Sequence, residues 1–291
     1  MKKPLWIACL IMVIGCQHSP TVPENATDTV VDDYGRTVAV PHSPTRIVST
    51  SPAVTEIIFA LGGDRLLVGR TQFCTYPSEA VRIENIGGIS NLNVERIASL
   101  HPDLVISGSM IPERSIDQLS VMGVAAVCVI EQPTFDGLYR NIQRIGQLIG
   151  KKTEADSLTN CLREEVTSLT AKQDTGHSPT VYYVVGFGGG GNFTAGGNSF
   201  IDDIITMAGG RNIAHDMEGW NYGTEALLAQ NPDYIIVRKE DSAAFCRMHP
   251  YTMLDAVKSG RVIAIESSTI DLQVPRNIDA IRFLQRRLCQ Q

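Results

Sequence analysis

The chain offers few residue groupings that could carry out covalent chemistry. Gly186-Phe-Gly188-Gly-Gly-Gly191 satisfies the spacing GxGxxG directly after a strand pattern, the first half of a dinucleotide-binding turn. The second half is missing: Asn192-Phe-Thr-Ala-Gly-Gly197 follows, where a helix N-terminus would be needed to hold a pyrophosphate. A strand-end loop is the expectation. No GxSxG, HExxH or Walker sequence occurs, so hydrolase and phosphoryl-transfer readings find no support. The six His, at 18, 42, 101, 177, 215 and 249, lack the i, i+4 pairing or the Cys/His/Asp grouping that a bare first-row metal requires. No metal site is therefore expected, although a metal already held by a chelator would need few protein ligands.

Non-covalent recognition has more material. Aromatic residues make up only 6% of the chain, which makes their positions informative. Phe73 and Tyr76, Phe187 and Phe193, and Trp220 and Tyr222 all fall at loop ends, outside core-like helical or strand periodicities. Apolar rings converging from separate segments suit a large planar or macrocyclic ligand, with ordinary loop packing as the alternative. Glu95 and Glu225 each open a helical pattern, where the helix dipole favours a carboxylate. Their recurrence also offers a paired acidic surface to a two-fold symmetric basic partner.

The elements that must position these residues alternate. Short β-branched runs at 46–50, 66–69, 104–108 and 125–130 interleave with helical patterns at 53–61, 94–100 and 113–122, the signature of βα units around a parallel sheet. From Phe135 to Lys172 the strand pattern stops and two helical stretches meet at Gly150. In the second, Ala155, Leu158, Leu162, Val166 and Leu169 form one apolar stripe; a helix over 152–173 would be ~33 Å long. Alternation resumes at 180–186, with helices near 200–208 and 224–230, strands at 234–238 and 262–266, and a terminal helix from about Arg276. Glu95 to Ile106 matches Glu225 to Ile236, with Glu, Pro and Asp at the same offsets. Each copy reads as a short helix, a Pro-Asp stop and a buried strand, so the two halves are expected to be pseudo-symmetric. The fold class is α/β: two lobes with parallel-type sheets joined by one long helix.

Lys2, Lys3, an apolar run from Leu5 to Gly15 and then Cys16 have the layout of a secretory leader. The run would span only ~17 Å as a helix, short of a ~30 Å hydrocarbon core. Val13-Ile-Gly-Cys16 resembles a lipobox, which makes Cys16 the expected lipidation site. The expected organisation is a leader over 1–16, a tether over 17–27, an N-terminal lobe over 28–150, the joining helix over 151–174 and a C-terminal lobe over 175–291. The 25 Lys and Arg against 31 Asp and Glu give a net charge of −6, and no basic cluster stands out, which excludes nucleic acid as a partner. Beyond Cys9 and Cys16, the thiols at 74, 128, 161, 246 and 289 are odd in number and contain no CxxC, so at least one stays unpaired within the chain.

Asp33-Tyr-Gly-Arg-Thr-Val, Pro44 to Glu56, Gly69 to Pro77, Asn93-Val-Glu95-Arg-Ile, Pro102-Asp-Leu-Val-Ile, Phe193-Thr-Ala-Gly196, Ala208 to Ile213 and Pro232-Asp-Tyr-Ile-Ile carry a resemblance. Over about residues 32–290 the chain resembles the substrate-binding lipoproteins of ABC importers for cobalamin, haem and ferric siderophores. The resemblance implies a class III periplasmic binding protein and not an enzyme: a monomer, anchored by its lipid outside the cytoplasm, with no resident cofactor and with a metal chelate as ligand. It implies an interlobe cleft lined by Ser51, Pro52, Phe73, Ile89, Met110, Phe193, Trp220, Tyr222, Asp271 and Arg276. It further implies that Glu95 and Glu225 dock on arginines of an ABC permease driven by its ATPase. Cobalamin and an iron complex stay open as ligands. A metallocluster or chelatase enzyme on a related scaffold is the alternative, for which Cys74 and His215 are the available metal ligands; a structural surface lipoprotein is a second.

Overall fold

The computed structural model describes residues 27–108, 111–171 and 178–288. The leader, Cys16, Met110 and Cys289 lie outside the described residues. An antiparallel hairpin of β1 (Thr27–Val31) and β2 (Thr37–Pro41) opens the folded body. Its turn is organised by buried Asp32, which accepts from the backbone N–H of Tyr34, Arg36 and Cys128 and from the Arg36 guanidinium.

The N-terminal lobe runs β3 (Ile47–Ser49), α1 (Pro52–Ala60), β4 (Leu67–Arg70), α2 (Val94–Ser99), β5 (Leu104–Ser107), α3 (Glu113–Val121) and β6 (Ala126–Cys128). Its four strands form a parallel sheet in the order β4-β3-β5-β6. Every residue of β3, β5 and β6 is buried, as expected where helices cover both faces. α4 (Phe135–Leu148) and α5 (Lys152–Thr170) then lead to the second lobe. That lobe runs β7 (Thr180–Val184), α6 (Phe200–Met207), β8 (Arg211–Asn212), α7 (Thr224–Gln230), β9 (Tyr234–Arg238), α8 (Ser242–Arg247), α9 (Asp255–Lys258), β10 (Val262–Ile265) and α10 (Asn277–Leu288). Its sheet is also parallel, in the order β10-β9-β7-β8.

Strand alternation divides the core into three clusters. Leu104 and Ile106 of β5 face one cluster while Val105 faces another; Val181 and Tyr183 of β7 likewise oppose Tyr182 and Val184. The largest cluster is continuous between lobes, because the inner faces of both sheets pack on α1, α4, α5, α6 and α10. The apolar stripe of α5 points into it, with Ala155 and Leu162 buried and Leu158, Val166 and Leu169 packed alongside. The 19 residues of α5 span ~28 Å. Gly150, at φ 71°, ends α4 at the break expected from sequence, since only glycine enters the left-handed region at little cost.

The internal repeat is structural as well as textual. Among the described residues, the two non-glycine positions with positive φ are His101 (46°) and Asn231 (42°), which are matching positions of the two copies. Asp103 accepts from the backbone N–H and hydroxyl of Thr45, at 2.8 and 3.0 Å. Asp233 does the same to Thr180, at 2.8 and 2.6 Å. In each lobe this carboxylate clamps the start of the adjacent strand.

Candidate functional site

In both sheets the strand order reverses beside the first strand of the lobe, between β3 and β5 and between β7 and β9. The crevice outside the carboxyl ends of strands at such a reversal is where open α/β sheets bind ligands. In the N-terminal lobe a cavity of about 350 Å³ lies there. Thr50, Ser51 and Pro52 follow β3, Gly108 follows β5, and Phe73, Ile89, Ile111 and Glu131 complete that wall; Asp271 and Leu272 close it from the C-terminal lobe. Gly108 is required by close approach: a Cβ on it would come within 2.8 Å of Ser51 Cβ.

The cavity wall is mostly apolar, with a few polar groups of unequal status. Asp271 is held from the carboxyl-end halves of the C-terminal strands: Arg238 Nε donates to Oδ2 at 2.8 Å, and the Tyr183 hydroxyl donates to Oδ1. Burial and the adjoining Asp271 charge push the Tyr183 phenol well above its ordinary value. Burial alone would lower the Arg238 pKa, but Asp271 and Tyr183 outweigh it and hold the guanidinium charged. Glu131 differs. It faces solvent inside the cleft, surrounding protein pushes its carboxyl upward, and it makes no ion pair or hydrogen bond among the described residues. The buried Thr50 hydroxyl also finds no partner among them.

Of the ligand-contact positions expected from sequence, Ser51, Pro52, Phe73, Ile89 and Asp271 come together on this cavity. Phe73 is 52% exposed, while its neighbour Cys74 turns fully inward to Thr71. Phe193 and Trp220 lie outside the cavity lining. They sit on paired segments after the carboxyl end of β7, where Thr194 N–H donates to Trp220 O at 2.8 Å, and both rings are exposed. Tyr222 instead packs on Tyr182, with ring centroids 5.5 Å apart, in the core of the C-terminal lobe. Phe187 likewise packs on Phe245 and Tyr251. Arg276 bridges the lobes: its Nε meets Glu56 Oε1 of α1 at 2.7 Å and its guanidinium stacks over Tyr76, 4.1 Å from the ring centroid. Sequence reasoning passed over Thr50, Ser90, Ile111, Glu131 and Leu272, whose signal is their place beside strand ends and cleft loops.

The elements that would serve an enzyme do not assemble. Gly186 bridges back to Phe193, so the glycine run closes a hairpin-like loop with no helix behind it. His215 Nδ1 pairs with Asp202 Oδ2 at 3.0 Å, and the same buried Asp accepts from buried Asn212 at 2.8 Å, so the exposed imidazole is tied to a polar pair outside the cavity lining. No cluster of His, Cys, Asp or Glu able to hold a metal occurs among the described residues, and Cys74, Cys128, Cys161 and Cys246 are all free thiols. No described helix is long and apolar enough to cross a membrane. Glu95 and Glu225 are the second residues of α2 and α7, exposed and without an ion-pair partner among the described residues.

Relatives share this plan. A Bacillus subtilis (strain 168) protein named an uncharacterized ABC transporter substrate-binding lipoprotein, YvrC, is 28% identical over 98% of this chain and 96% of its own length. A cobalamin-binding protein of Halobacterium salinarum (strain ATCC 29341 / DSM 671 / R1) is 29% identical over 86% of this chain and 71% of its own. The solved structure of the periplasmic heme-binding protein RhuT from Roseiflexus sp. RS-1, in apo form, is 27% identical with a TM-score of 0.75, covering 84% of this chain and 97% of that one. The model of the periplasmic binding protein family matches residues 47–269, from the first residue of β3 to the turn after β10, and the chain belongs to that family.

Proposed function

We propose that this protein is the extracytoplasmic substrate-binding component of an ABC importer, tethered by a lipid on Cys16, and that it carries a metal chelate such as cobalamin, haem or a ferric siderophore. The observation that carries this reading is the cavity between the lobes at the strand-order reversal, with a largely apolar wall and few polar groups. An apolar concave wall suits the flat face of a macrocycle or the body of a wrapped metal ion. Ser51, Pro52, Phe73, Ile89 and Asp271 would contact the ligand, and exposed Phe193 and Trp220 would cover it from the C-terminal lobe. The continuous interlobe core limits opening to small movements. Glu95 and Glu225, one per lobe, would dock on basic residues of the permease. Binding and release then need no covalent step.

The test is retention on ultrafiltration of cyanocobalamin, hemin and a panel of ferric siderophores by the purified protein, followed by visible absorbance. Saturable, stoichiometric retention of one of them at micromolar affinity or better, worth ~8 kcal/mol, is the expected result. Retention of none would refute the reading.

A further inference from the structure

The charges around the cleft do not balance. Two cations approach it and each is already spent: Arg238 on Asp271 at 2.8 Å and Arg276 on Glu56 at 2.7 Å. No Lys, Arg or His contributes to the described cavity wall, whereas Glu131 stands on that wall with no ion-pair or hydrogen-bond partner among the described residues.

From these observations we infer that Glu131 sets the charge selectivity of the cleft, accepting N–H donors from an uncharged or cationic ligand rim and rejecting a rim of carboxylates. A primary carboxamide presents an N–H donor to Glu131. A carboxylate presents acceptors only, and places its charge against the Glu131 carboxylate. This inference rests on the chelate-receptor reading and narrows it to one side of the ligand chemistry.

Two matched probe pairs test it on the purified full-length protein: cyanocobalamin against a monocarboxylate derived from it by hydrolysis of one side-chain amide, and hemin dimethyl ester against hemin. For whichever pair binds, the wild-type protein should prefer the uncharged-rim member by roughly tenfold, about 1.4 kcal/mol. Glu131→Gln, which keeps the shape and one acceptor oxygen but removes the charge, should collapse that ratio towards unity, and Glu131→Lys should invert it. Thermal unfolding of each variant checks that the fold persists. A preference that is absent in the wild type, or unchanged in Glu131→Gln, overturns the assignment while leaving the receptor reading standing. Failure of all four probes to bind the wild type overturns the assignment, and failure of the siderophore panel as well overturns the receptor reading.

Discussion

Replacing Arg276 with Met should destabilise the protein far more than the lost contact area would require. Glu56 lies within α1 of the N-terminal lobe with its side chain 6% exposed, and Arg276 reaches it from the C-terminal lobe with 13% exposed. Burial pushes the Glu56 carboxyl up by more than Arg276 pulls it down, so a single cation is all that compensates its charge. Removing that cation strands a buried carboxylate, which costs ~3–5 kcal/mol. Loss of the guanidinium stack on Tyr76 adds ~0.5–1 kcal/mol. The sign with pH follows from the direction of the Glu56 shift. A folded-state carboxyl raised above its unfolded value binds its proton more tightly in the native state, and without Arg276 it is raised further. The deficit should therefore be full at neutral pH and shrink as pH falls into the range where folded Glu56 protonates. The double variant Glu56→Gln with Arg276→Met should regain most of the loss at neutral pH. Urea unfolding of wild type, both single variants and the double variant, at neutral pH and at about pH 5, closes the cycle. A neutral-pH deficit for Arg276→Met below ~1 kcal/mol would refute the reasoning, as would failure of the double variant to recover.

Asp32→Asn should cost ~2–3 kcal/mol, because a buried carboxylate accepting from Arg36 and three backbone N–H groups is exchanged for a neutral amide. Burial raises the Asp32 pKa, but the bonds from Arg36 and Cys128 outweigh it and the net shift is downward. Its contribution is thus present above the unfolded value of ~3.9 and lost as pH falls through the lower folded value, so the gap between Asp32→Asn and wild type in chemical denaturation should close in acid. Thr50→Val should stabilise the free protein by ~1 kcal/mol in the same assay, by removing a buried hydroxyl with no partner among the described residues. Glu95→Arg combined with Glu225→Arg should leave chelate affinity unchanged and abolish uptake through the permease. Normal uptake by that double variant at normal expression would contradict the docking assignment.

Sequence periodicity located most of the frame because the frame is built by local rules. The buried runs Ile47-Val48, Leu104 to Ile106 and Ile235 to Val237 of β3, β5 and β9 are β-branched or aliphatic, and α4, α5 and α6 carry clear apolar faces. The hairpin of β1 and β2, the two-residue β8, and the short helices α8 and α9 lacked such a signal; their order depends on packing partners distant in sequence. The site was less legible than the frame. Tyr222 and Phe187 looked like ligand-facing rings because they sit in loops, yet both turn inward onto Tyr182, Phe245 and Tyr251, as loop aromatics next to a sheet end can. Glu131 and Thr50 carry no signal beyond their places next to strand ends, since their meaning arises only once β5 inserts beside β3 and leaves a reversal in strand order. The internal repeat explains this division. Helix, Pro-Asp stop and strand are needed twice to build two lobes, so Glu95 to Ile106 and Glu225 to Ile236 stay alike down to the left-handed His101 and Asn231. The carboxyl ends of the strands carry no such folding duty. Thr50-Ser51-Pro52 after β3 and Val185-Gly186-Phe187 after β7 have no residue in common, and the ligand's chemistry is written where the two copies differ.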